Sequence, residues 1–154
     1  MTNPVEQLGG KFLLYVNTGS DESTNLTWTK IGGQRKGSFG EPSDIVKAQH
    51  KDSFPYYNKI YGYMEWTFDF DGVWLTDDST GIEDPGLKYL RYLKRNQIKA
   101  YVKIVTPING AAAGNGSSYT GHALIASLVT DGPHDNVITY TGKLEGSGTY
   151  VFTE

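Results

Sequence analysis

The order of apolar and polar side chains in this 154-residue chain predicts a mainly-β domain, a β-sandwich or partly open barrel with one flanking α-helix. Three observations carry that expectation. Two segments alternate with period two, as strands with one buried face require. One segment alone repeats with helical spacing. Glycine occurs 19 times, well above its usual share of about 7%, which calls for many turns and loops.

The elements follow in chain order. Phe12 to Val16 is apolar on both faces and is expected to be a central strand, or one whose outer face is covered by a partner subunit. Leu26 to Lys30 is a shorter strand candidate. Tyr63 to Asp71 alternates cleanly, with Met64, Trp66, Phe68 and Phe70 on one face and Glu65, Thr67, Asp69 and Asp71 on the other. Asp84 is placed to N-cap a helix, and Pro85 suits its first position. Leu87, Leu90 and Leu93 form an apolar stripe, and Lys94 and Arg95 meet the negative end of the dipole. Lys88, Arg91 and Arg95 are expected to face solvent. Ala100 to Thr106, Ala123 to Thr130, Val137 to Glu145 and Tyr150 to Thr153 complete the strands.

Two stretches lack periodicity and are expected to be long loops: residues 32–58, and residues 107–121 with the run Gly110-Ala-Ala-Ala-Gly-Asn-Gly-Ser-Ser. Loops that long in a compact domain usually carry function or are ordered by a partner. The whole of 1–154 reads as a single domain without internal repeat. At that length a chain buries roughly 68–70% of its unfolded surface, enough for a core.

Composition removes several function classes. Without cysteine there is no disulfide, thiolate nucleophile or Cys-ligated zinc. Fourteen Lys and Arg against 17 Asp and Glu leave a formal charge of −3, too acidic for a dedicated nucleic-acid binder. The longest apolar run falls far short of the roughly 20 residues of a membrane-spanning helix. Met1 to Gln7 has neither the basic patch nor the apolar stretch of a secretory signal.

Active-site readings find no anchor. Asp69 and Asp71 alternate with apolar residues as a strand's polar face does, and Asp77, Asp78, Glu83 and Asp84 lack the order of a calcium loop. His50, His122 and His134 are far apart, and no G-x-S-x-G elbow surrounds a serine. Gly114-Asn115-Gly116 and Gly146-Ser147-Gly148 do not lead from a strand into a helix, so neither reads as a phosphate cradle. The aromatic group Tyr56, Tyr57, Tyr61, Tyr63 and Trp66 admits two readings. It is either the stacking surface of a carbohydrate-binding module, or part core strand and part subunit contact.

Three motifs in sequence order resemble the major tail proteins, or tail tube proteins, of long-tailed non-contractile bacteriophages. The first is Trp28-Thr29-Lys30-Ile31-Gly32-Gly33-Gln34-Arg35. The second is His50-Lys51-Asp52-Ser53 with Gly62-Tyr63-Met64-Glu65-Trp66-Thr67-Phe68-Asp69-Phe70-Asp71-Gly72. The third runs from Asp135-Asn136-Val137-Ile138 to Gly146-Ser147-Gly148. The resemblance implies a tail-tube-like fold and a structural protein of the virion without catalytic residues, metal or cofactor. Six copies would form a ring, and rings would stack into a tube around a tape-measure protein. Tail terminator and tail-tip or baseplate proteins would bound it, and phage DNA would pass through at ejection. Assembly would take place in the host bacterial cytoplasm, with no membrane involved. Within that reading Glu65, Thr67, Asp69 and Asp71 are the candidate lumen-facing residues. Arg35, Lys36, Lys47 and Lys51 are the candidate inter-ring contacts, on a 32–58 loop expected to be mobile in the free subunit. Met1 to Gly10 and Pro107 to Gly121 are further contact candidates. The rival readings are the carbohydrate-binding module and, more remotely, a jelly-roll hydrolase using Asp69 or Asp71.

Overall fold

Alternating apolar residues become strands of the main sheet because each of those segments buries one face against the same core. The computed structural model describes residues 12–19, 26–48, 52, 55–76, 79–107, 116–134 and 137–154. Within them the order is β1 (Leu13–Asn17), β2 (Trp28–Lys30), β3 (Gln34–Gly40), β4 (Ser43–Ala48), β5 (Asn58–Met64), β6 (Thr67–Val73), α1 (Pro85–Arg95), β7 (Ala100–Val105), β8 (Ser118–Asp131) and β9 (Thr139–Thr153). Seven strands form one sheet in the order β2-β1-β7-β8-β9-β6-β3, and β4 and β5 pair separately as a two-stranded arm. All of the pairings are antiparallel.

The sheet curls until β3 approaches β1, and a side chain bridges the gap. Gln34 accepts from the Leu14 N–H at 2.8 Å and donates to the Leu14 carbonyl at 2.9 Å, so its amide replaces a ladder pair. Phe12 stacks on Phe68 across the same seam, with centroids 5.7 Å apart. Of the two expected architectures, sandwich or partly open barrel, the curled sheet is the second. Its interior holds Leu14, Val16, Val102 and Ile104 from one half, and Phe68, Phe70, Tyr140 and Leu144 from the other. Helix α1 covers the interior with buried Leu87, Leu90 and Leu93. Asp84 caps it as expected, accepting from the Leu87 N–H at 3.0 Å, and also takes the Gly32 N–H at 3.0 Å. Arg91 is half-buried rather than turned fully to solvent: its guanidinium lies 4.5 Å over the Trp74 ring and pairs with Glu83.

Two expectations need correction. Of the expected 32–58 loop, residues 34–40 and 43–48 are strands instead, because β3 lies in the main sheet and β4 forms the arm with β5. The strand character of β3 is masked by Gly37, which sits beneath aromatic rings; a Cβ there would come within 2.8 Å of Phe68 Cζ. A bulge between Gln34 and Lys36 further breaks the alternation. Likewise, Tyr63 to Asp71 is not one strand. It divides at Glu65 and Trp66, where the Glu65 N–H donates to the Pro42 carbonyl at 3.0 Å and the chain passes from arm to sheet. The second expected loop, 107–121, falls mainly outside the described residues, and β8 already begins at Ser118.

Candidate assembly interface

Strands β3, β6 and β9 present one polar face on the side away from the core, and β8 continues it with the exposed apolar Leu124 and Val129. Thr67, Asp69 and Asp71 stand on it because they alternate with Phe68 and Phe70. Glu65 does not join them, since it lies in the link between β5 and β6. Register decides the electrostatics of this face. Asp69 is directly opposite Lys143, Thr67 opposite Glu145, and Asp71 opposite Lys36 on its other side. Lys143 and Glu145 also approach each other at 3.9 Å. The face is therefore lined by alternating charge rather than by acid alone.

The four basic candidates separate. Arg35 and Lys36 belong to β3, where Arg35 Nε stands 3.8 Å from Asp71 Oδ1, so they border the candidate lumen face. Lys47 is on the arm. Lys51 lies outside the described residues, as do Met1 to Gly10, His50, Asp77 and Asp78.

The arm is the larger feature that the sequence did not reveal. Val46 faces Ile60 across it and Ile45 faces Tyr61, while Lys47 is directly opposite Lys59. Both of its faces are open in the single chain: Ile45 is 53% exposed, Ile60 58%, Tyr61 77% and Tyr63 89%. The available signal was the pair of short apolar runs Ile45-Val46 and Ile60-Tyr61, each flanked by a lysine.

Other candidates are absorbed into structure. Trp66 is buried in the core at 3% exposure, so it cannot form a sugar platform with the tyrosines of the arm. Glu83 and Asp84 serve α1, and His122 stacks on Tyr101 at 4.8 Å. Among the described residues no cluster of His, Asp and Glu is arranged to hold a metal ion.

The fold has close counterparts among known structures. A subunit from the tail of an empty gene transfer agent particle, refined with C6 symmetry, superimposes with a TM-score of 0.74 at 18% identity, over 97% of this chain and 100% of that one. A structure described as the SPP1 tail tube gives 0.65 at 12% identity, over 96% and 79%. A chain from the baseplate of an anti-feeding prophage gives 0.64 at 12%, over 99% and 97%. No curated protein matches by sequence. Residues 6–152 match the sequence family of phage tail tube proteins, a structural rather than an enzymatic family. Coverage of nearly the whole chain, together with the curled sheet and its capping helix, places this chain in the phage tail tube protein family.

Proposed function

We propose that this tail tube subunit closes into six-membered rings that stack into a hollow conduit in the virion tail, the whole chain acting as one assembly domain. The observation that carries the reading is the β4–β5 arm. A two-stranded hairpin with both faces in water is at best marginally stable on its own, yet this one exposes Ile45, Val46, Ile60, Tyr61 and Tyr63. Contiguous apolar exposure of that kind marks an interaction surface. A second copy covers it. The C6 tail of the gene transfer agent supports sixfold closure. A contact that closes by rotation makes a ring, and one that does not makes a filament; a tube of rings needs both.

In this reading Thr67, Asp69 and Asp71 line the lumen, with Glu65 at the rim. Their pairing with Lys143 and Lys36 leaves a wall near neutrality, along which phosphates pass without being held. A tape-measure protein fills the lumen before ejection and DNA passes afterwards. Terminator and tip or baseplate proteins bound the two ends, and the tube assembles in the host cytoplasm. Among the described residues the outer edge of β2, and that of β3 beyond the Gln34 seam, are the ring-closing candidates, since unpaired edges are templates for pairing. Arg35, Lys36, Lys47 and Lys51 contact neighbouring copies. Negative-stain microscopy of the purified protein across a concentration series tests the assembly. Rings and hollow tubes are expected; a monomer at every concentration, with tail terminator and tape-measure protein added, overturns it.

A further inference from the structure

The two ends of the arm carry like-charge pairs of opposite sign. Toward its tip Lys47 is directly opposite Lys59, an arrangement that destabilises a sheet pair. Lys47 Nζ is 5.7 Å from the centroid of the Tyr57 ring, which accommodates one cation. At the base, Glu41 and Glu65 line a groove of about 430 Å³ with Met64, Trp66, Gly146, Gly148, Thr149 and Tyr150.

That groove is built rather than incidental. Gly146 allows β9 to lie against the indole, since a Cβ there would sit 2.1 Å from Trp66 Cε2. The indole Nε1 donates to the Gly148 carbonyl at 3.1 Å, and the Gly146 N–H donates to the Trp66 carbonyl at 2.8 Å. Tyr150 meets Trp66 edge-on at 6.3 Å. Burial of Tyr150 and then its hydrogen bond to the Glu41 carboxylate hold the phenol protonated, its pKa pushed up to about 12. Two carboxylates lining one groove suit an ammonium group, which gains from the paired charge.

The geometry points to the basic tip of the arm of a second copy, in the adjacent ring, as the occupant of this groove. The contact is head-to-tail: Lys47 and Lys59 of one subunit enter between Glu41 and Glu65 of the next. Within one chain the two ends cannot meet, because the six residues from Glu41 to Lys47 span about 20 Å of extended strand. Made between copies in successive rings, such a contact does not close on itself and so propagates along the tube axis. The inference rests on the tube reading and supplies the acceptor that it leaves open.

Charge reversal tests it. In the variant with Glu41→Lys and Glu65→Lys both ends are basic, and in the variant with Lys47→Glu and Lys59→Glu both are acidic. Each alone is expected to lose tubes, while an equimolar mixture restores them, because every tip then finds an opposite base. The milder pair Glu41→Gln and Glu65→Gln should raise the critical concentration by about tenfold or more. Tubes from each reversed variant alone at the wild-type critical concentration overturn the proposal and leave the tube reading intact, as does a mixture that stays unassembled. Failure of the wild type to form tubes overturns the reading beneath it. An independent readout keeps all four charges. The chain lacks cysteine, so a variant with Ala48→Cys and Thr149→Cys should yield, on mild oxidation of tubes, a ladder of disulfide-linked chains longer than a ring. Cross-linking that is absent, or that stops at a single ring, overturns the axial contact.

Discussion

Tyr140 shows how one side chain ties distant parts of the chain together. It is fully buried, and its hydroxyl donates to the Gly32 carbonyl at 2.7 Å. The Gly32 N–H in turn donates to Asp84, the cap of α1. Burial, then the charges of Asp84 and Asp71, raise its pKa well above the ordinary 10.0. The fold thus holds the neutral phenol. Its contribution is complete below the unfolded value and is lost as pH rises through the folded one. Tyr140→Phe should lower stability by about 1–2 kcal/mol near neutrality, because it leaves the Gly32 carbonyl unpartnered. It should also flatten the loss of stability above about pH 10, measured as urea midpoints against pH. Tyr150, pushed up to about 12, adds a second loss of the same sign that the substitution leaves in place. Gly142 sits at another close approach, where a Cβ would come within 2.3 Å of Phe70 Cζ. Gly142→Val should cost about 3 kcal/mol or more, read from the denaturation midpoint. The glycine excess read as turns is therefore in part a set of seats for aromatic rings, which composition does not distinguish.

At the scale of elements, β6, the first half of β9 and the helix were legible because each carries its own periodicity, and α1 its own cap. The N-cap Asp84, Pro85 and the Leu87, Leu90 and Leu93 stripe place α1 at Pro85–Arg95 without reference to the rest of the chain. Strand β3 was not legible, since its apolar content is little more than Phe39 and its partners supply the rings that cover Gly37. The arm was hidden for a different reason: nothing among the described residues buries either face, so no alternation of apolar and polar residues marks it. Replacing residues 43–64 by a short Gly-Ser linker should leave a folded monomer, because Pro42 and Glu65 are already joined by a 3.0 Å hydrogen bond. Circular dichroism should retain the cooperative melt, and microscopy should show no tubes. A deletion extending back to residue 36 should instead destabilise the subunit by removing β3 from above Phe68.

For the whole molecule, the candidate lumen face becomes accessible to direct measurement because the chain has no native thiol. Asp69→Cys should react freely with a maleimide in the monomer and be protected in tubes filled with tape-measure protein. Full reactivity in the filled tube would remove β6 from the lumen wall. Of the four residues assigned to that face by alternation, three share it and Glu65 does not. The alternation runs on through residue 66 in sequence even though the chain changes sheet there. Trp66 takes its place in the core while Glu65 turns to the groove at the base of the arm.

The amino-acid sequence by itself determined the mainly-β class, the single helix with its cap, and the family resemblance, because period, capping and motif order are local properties of the chain. It also excluded thiol chemistry, which requires residues that are absent. Tertiary structure decided which strands pair, which acids meet lysines across the sheet, and that β4 and β5 stand apart as an arm. Those outcomes depend on partners distant in sequence. Asp69 faces Lys143 only because β6 pairs with β9 in that register. A shift of one residue would turn the same side chains to the opposite face.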